Sequence, residues 1–382
     1  MSEVNYRFID ATKELVAFCD QAKTAGWLAL DTEFVRERTF YAQLGLLQLA
    51  VADDIVLVDP LAGFELEPFW QLLADENVTK VLHSGGEDLE LLYQCAQRMP
   101  QNVFDSQIAA SVLGYGDSLG YAAMVQQFCD VELDKSQSRT DWLARPLSDD
   151  QRYYAAADVF YLARIYPRLL TELQQADKLA LVADECALQI VKRTRQLNPD
   201  LAWREIGNAW QTSPQQRAVL QALAAWRLNT ARRKDKPVGF IVKDATLIEI
   251  ARKEAQSMAQ LAAIDSMHPQ AVRRWGDEII AAVKTGLACP EENIPAEMPR
   301  LDFVDGYKGM FKKAKALIQR KAEELQVPAS LIGSRKQINE VFHWLWFCND
   351  ALRQQLNPPD LLVGWRGELL KSELEALLLP RP

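Results

Sequence analysis

WLALDTEFV at residues 27–35, followed closely by LGLLQLAV at 44–51 and IVLV at 55–58, decides how the front of this chain folds. Each run is apolar, of strand length, and the last two are separated by the turn-forming pair Asp53-Asp54. Three strands this close together pair most economically as antiparallel hairpins. Working outward, a helix is expected around Glu67 to Ala74, a strand at Thr79 to His83 and a helix from Glu87 to Arg98. A short strand at Asn102 to Phe104 and a helix from Gln107 to Leu113 complete the pattern. These later strands are separated by helices, so they predict parallel crossovers. Three antiparallel strands and two parallel ones, with helices around them, make a mixed α/β sheet.

From Ser148 the pattern turns helical and stays so. Ser148 with Gln151 three residues on is a capping box that opens a long helix through Tyr154, Asp158 and Ile165. Ser213-Pro214 marks another helix entry, and CPEENIPAEMPR (289–300) is a break rich in Pro and Glu. The expected organisation is α/β followed by all-α: a sheet domain over 1–175, a helical connector over 176–211, and two small helical bundles over 212–292 and 300–382.

With 382 residues, 49% hydrophobic and 25% charged, the chain can bury sizeable cores in two or three domains. No apolar run approaches the roughly 18–20 residues that cross a bilayer, so no membrane partner is expected. The start, MSEVNYRFID, has neither a basic end nor an apolar stretch and is not expected to be a signal peptide. Six cysteines without CxxC spacing read as buried, reduced thiols of a cytoplasmic protein. The net charge of −9 argues at first against a polyanionic partner. Its distribution changes that: residues 1–211 carry 18 basic against 32 acidic side chains, and residues 212–382 carry 25 against 20. An acidic front suits cation chemistry and a basic back suits polyanion contact.

Asp31 and Glu33 leave one strand on the same face. Two carboxylates there repel and lose hydration, and cations are the usual compensation, although a solvent-facing strand end gives the same pattern. Asp88 lies in the first turn of the helix after His83, where an acid is favourable in any case. Tyr154 and Asp158, at i and i+4, share a helix face, and the alanines at 155–157 let that helix approach a sheet closely.

The ordered set DTE, HSGGEDL and YAAAD resembles the DEDD exonucleases of the tyrosine-containing subclass. LALDTEFVRERTFYAQLGLLQLA, LDKSQSRTDWLARPL and YYAAADVFYL resemble, more closely, the ribonuclease D family, and the helical blocks resemble its paired HRDC modules. The resemblance implies a ribonuclease H-like fold and 3′→5′ hydrolysis of RNA, with tRNA precursors as substrates. Carried over residue by residue, it implies that Asp31, Glu33, Asp88 and Asp158 bind metal and that Tyr154 positions water.

The chemistry suits these residues. Phosphodiester cleavage needs an activated water and a stabilised leaving oxygen, and two cations ~3.5–4 Å apart supply both. Four carboxylates favour Mg²⁺ or Mn²⁺ over zinc. No GxxxxGK[ST] loop is present, so no nucleotide cofactor is expected. With an ordinary pKa of about 10, Tyr154 orients water rather than removing its proton. Arg36, Arg38, Phe40 and Tyr41, and likewise Lys135, Arg139 and Trp142, interleave cations with aromatics and could hold a phosphate and stack a base. An ordinary loop with a core-facing Phe, or pairing with Asp134 and Asp141, fits the same residues. Arg232-Arg233-Lys234 with Lys236, and Lys312-Lys313 with Lys315, read as solvated helix faces or, given the polyanion substrate implied by the front half, as candidate polyanion contacts.

Overall fold

The computed structural model describes residues 4–134 and 136–379. Six strands form one mixed sheet: β1 (Arg7–Ile9), β2 (Trp27–Val35), β3 (Gln43–Val51), β4 (Asp54–Val58), β5 (Thr79–Leu82) and β6 (Val103–Asp105). Their order is β1-β4-β3-β2-β5-β6. The ladders β4–β3 and β3–β2 are antiparallel, whereas β1–β4, β2–β5 and β5–β6 are parallel. The three antiparallel strands and the parallel pair are those the sequence predicts. Edge strand β1 is an addition, too short at three residues to show any alternation.

Alternation along the strands separates two faces. Leu28, Leu30, Leu47, Leu49, Val56 and Val58 share one core with Leu15, Phe18 and Ala22 of α1 (Thr12–Ala25). Phe69 and Leu72 of α2 (Glu67–Leu73), and Leu89 and Leu92 of α3 (Gly86–Ala96), join the same core. Two short helices, α4 (Ser106–Val112) and α5 (Tyr121–Cys129), lead to the 27-residue α6 (Asp149–Gln175), which packs across β2, β3, β4 and β5. Both bonds of the Ser148–Gln151 capping box are present, and Ala155, Ala156 and Ala157 are buried. Small side chains there bring the helix axis close to the strands.

The span 176–211, expected as a helical connector, is helical at its start and packs there on the sheet domain. Helix α7 (Leu179–Arg193) packs on β6, α3 and α4, with Cys186 buried under β6. The chain divides into two compact units, one holding the sheet, the chain on to Arg195, and everything from Gly309 onward; the other holds Arg36–Tyr41 and Gln196–Lys308.

In the second unit, α8 (Pro214–Lys234) and α12 (Pro269–Leu287) pack closely, with α9 (Val238–Ile241), α10 (Asp244–Lys253) and α11 (Met258–Ala262) between them in sequence. A Cβ at Gly286 would lie 2.4 Å from the Val219 Cα, so only glycine permits that approach. From Tyr307 the chain is helical again: α13 (Tyr307–Leu325), α14 (Ala329–Ile332), α15 (Arg335–Phe347), α16 (Asp350–Gln355) and α17 (Gly364–Leu378). Here Arg366 donates to the buried carboxylate of Glu185 on α7 and to the Ile332 and Leu331 carbonyls at 2.8 and 2.6 Å. The Trp365 indole N–H also donates to Glu185, at 3.1 Å. No strand follows residue 105 among the described residues. Only Cys19 and Cys186 are buried and Cys95 is exposed, which corrects the expectation of uniformly buried thiols.

Candidate active site

Asp31 and Glu33 leave β2 toward α6, where Asp158 meets them, and one carboxylate oxygen of each lies within 4.8 Å of the others. Asp88 arrives from another direction. β2 pairs with β5 only through Trp27–Ala29, so beyond Ala29 one edge of β2 lies open. The Thr32 hydroxyl donates to the Asp88 carboxylate at that edge, and Asp88 is 9% exposed. Glu87, the other acid in that turn, is exposed.

Electrostatics at this cluster are unfavourable without a cation. Burial and then the charges of Asp88, Asp158 and Glu33 hold the Asp31 carboxyl well above the usual range. Burial, with Asp158 and Asp88, pushes Glu33 up to about 9. Burial alone pushes Asp158 up to about 8, and burial pushes Asp88 to about 6 against the opposing bond from Thr32. None of the ion pairs among the described residues involves any of the four. Clustered, uncompensated oxygen ligands are what a hard divalent cation requires. The Tyr154 hydroxyl is raised in pKa by burial and then by Asp158, Glu33 and Asp31, so it stays protonated and can donate. Tyr154 and Asp158 also form one wall of a cavity of about 410 Å³, which Tyr121, Gln137 and Tyr153 help to line.

Two supporting residues escape a reading of motifs. Asp105 accepts from the backbone N–H groups of Ser84 and Gly85, both at 3.0 Å, and from that of Gln107 at 2.8 Å. It therefore fixes the turn that launches α3 and caps α4 at once. The Tyr121 hydroxyl donates to the Asp158 carbonyl, which fixes the α6 backbone at the cluster. Only the Asp105–Gln107 half of this is visible locally, as an acid before a helical run.

The expected substrate contacts fare unevenly. Trp142 is 1% exposed, its ring centroid 6.1 Å from that of Tyr154, so it is a core residue under the site and cannot stack a base. A Cβ at Gly45 would lie 2.6 Å from the Trp142 carbonyl oxygen, so Gly45 lets the Trp142 backbone press against β3. Arg139 is exposed, and Lys135 lies outside the described residues. Arg36, Arg38, Phe40 and Tyr41 belong to the second unit. There the backbone N–H groups of Phe40 and Tyr41 donate to Asp235 at 2.9 and 3.0 Å. The Phe40 ring packs partly buried against that unit's core, which is a packing role, while Arg36, Arg38 and Tyr41 remain exposed.

A family model described as 3′-5′ exonuclease matches residues 6–174, one for the HRDC domain matches 216–283, and one for the ribonuclease D C-terminal HRDC domain matches 305–374. Ribonuclease D of Cronobacter turicensis is 43% identical over 370 residues, which cover 97% of this chain and 99% of that one. The chain belongs to the ribonuclease D family. Ribonuclease D of Escherichia coli K12 is 40% identical over 379 residues, 99% of this chain and 100% of that one. The crystal structure of E. coli RNase D, an exoribonuclease involved in structured RNA processing, matches with a TM-score of 0.91 at 41% identity, covering 99% of this chain and 100% of its own. Like its family, the chain is a 3′→5′ exoribonuclease that uses divalent metal and acts on RNA, with an exonuclease domain followed by helical HRDC domains. No helix among the described residues is long and apolar enough to cross a membrane.

Proposed function

We propose that Asp31, Glu33, Asp88 and Asp158 hold two divalent cations, Mg²⁺ or Mn²⁺, and that this centre releases nucleoside 5′-monophosphates one at a time from RNA 3′ ends. The observation that carries the reading is the meeting of three carboxylates within 4.8 Å with no cationic side chain paired to them. When bound, the cations supply an activated water and charge stabilisation for the departing sugar oxygen. Asp31, Glu33 and Asp158 would hold one cation, and Asp88, set apart on the open edge of β2, would help hold a second. Thr32 orients Asp88 by its hydroxyl bond. Tyr154, kept protonated, donates to the attacking water and fixes its approach to the phosphorus.

The basic balance of residues 212–382 and the exposed Lys312, Lys313 and Lys315 support contact with structured RNA, and the substrates proposed are tRNA precursors in the cytoplasm. A metal-titrated assay on RNA with free and blocked 3′ ends tests the reading, with matched DNA oligomers as the competing substrate. Loss of monophosphate release on 3′ blocking, and on chelation, is expected. Metal-independent turnover, or equal activity on blocked ends, would overturn it.

A further inference from the structure

Gln48 is a polar residue inside an apolar strand. It stands directly opposite Asp31 in the β2–β3 ladder and opposite Leu57 in the β3–β4 ladder. Opposed residues project from the same face with Cβ atoms roughly 4.5–5.5 Å apart, so the carboxamide shares the α6 face with Asp31. Along its own strand that face continues with Leu46 and Ala50, both buried. Gln48 itself is 0% exposed, and neither its Nε2 nor its Oε1 has a hydrogen-bond partner among the described residues. A buried amide without partners is costly, and methionine would fill much the same volume without that cost. Such a group calls for an explanation, and sites of chemistry are where such explanations are found.

We infer that Gln48 is a positioning residue of the metal centre: once a divalent cation is bound, its carboxamide N–H donates to the Asp31 carboxylate and holds it oriented. The inference rests on the reading of Asp31 as a metal ligand. Asp31 leaves β2 among other acids, with carboxylate oxygens of Glu33 and Asp158 within 4.8 Å of its own. Directly across the ladder from it stands an amide whose N–H groups are uncommitted. Rotation about the terminal torsions of Gln48 spans the cross-strand gap. Partners that orient ligating carboxylates in this way typically carry a 10–100-fold effect on metal affinity or activity.

Packing and positioning make different demands, and Gln48→Met separates them. Full-length protein is compared for urea unfolding in EDTA, for Mn²⁺ binding by calorimetry, and for kcat and KM on a short single-stranded RNA. Unfolding resistance equal to or above wild type is expected without metal, because an unpartnered amide is gone. Mn²⁺ affinity should fall ~10-fold or more, and kcat should fall with KM unchanged. Gln48→Asn keeps the amide but falls one carbon short, so it should lose affinity similarly, and it covers the case in which the methionine variant does not fold. Wild-type Mn²⁺ affinity and kcat in either folded variant would overturn the inference. Asp31→Asn, measured alongside, locates a failure. Wild-type Mn²⁺ affinity there overturns the ligand reading itself, whereas its loss there with full affinity in Gln48→Met overturns only the role of Gln48.

Discussion

Replacing Glu33 by glutamine should make the metal-free protein more stable while removing its activity. Burial and two neighbouring carboxylates raise the Glu33 carboxyl from 4.5 to about 9. An unfolded chain releases this proton near the lower value and the fold retains it to the higher one. Between them the folded state binds more protons, so stability is greatest below pH 4.5 and is lost as pH rises toward 9. At about 1.4 kcal/mol per pKa unit, the span from the ordinary value to pH 7 removes roughly 3 kcal/mol. Glutamine keeps the shape and cannot ionise, but its buried amide gives back about 1 kcal/mol. A net gain of about 2 kcal/mol at pH 7 is therefore expected, larger at pH 9 and near zero at pH 5. Urea unfolding in EDTA at these three pH values, followed by far-UV circular dichroism, measures it. Saturating Mn²⁺ should reverse the ranking, since a ligand stabilises the state that binds it more tightly. Identical metal-free pH profiles for Glu33→Gln and wild type would refute the claim that crowded carboxylates strain this fold.

Other substitutions probe the remaining parts. Tyr154→Phe should lower single-turnover cleavage by roughly 10²-fold with Mn²⁺ affinity unchanged; wild-type cleavage would assign Tyr154 to packing. Asp158→Asn should abolish Mn²⁺ binding in calorimetry, whereas Asp88→Asn should keep one ion and lose turnover, because Asp88 lies outside the three-carboxylate cluster. Arg366→Ala leaves Glu185 buried and unpaired and should cost about 3–5 kcal/mol in urea unfolding; a change under 1 kcal/mol would make the link superficial. Alanine at Lys312, Lys313 and Lys315 together should raise KM on structured RNA and flatten the salt dependence of binding, by about one unit of slope for each phosphate no longer neutralised.

Local patterns carry much of this structure. β2, β3 and β4 are legible because each apolar run is longer than the turn beside it, and α6 because its first turn spells a capping box. The i, i+2 spacing of Asp31 and Glu33 and the i, i+4 spacing of Tyr154 and Asp158 specify shared faces before any tertiary contact is known. β1 and α1 escape such a reading for a common reason: RFI has no room for alternation, and Ala11 gives α1 no side-chain cap. Packing of Leu15, Phe18 and Ala22, not local signal, holds α1 in place. Trp142 is misleading in sequence because nothing nearby shows that β3 lies across it. Asp105, Tyr121 and Gln48 depend on partners 17 to 37 positions away, which a motif does not record.

The buried pair of Glu185 with Arg366 also has a consequence in time. The two residues are 181 positions apart. A ribosome adding 5–20 residues per second needs roughly 10–35 s to travel between them. Throughout that interval the sheet, α3, α4 and α7 can be assembled with an acid facing a surface that its helical cover has not yet reached. Until α17 is made, Glu185 on α7 has no Arg366 to pair with. Synthesis of α17 thus completes the cover over Glu185, and a message truncated before it would leave that buried acid without its cationic partner.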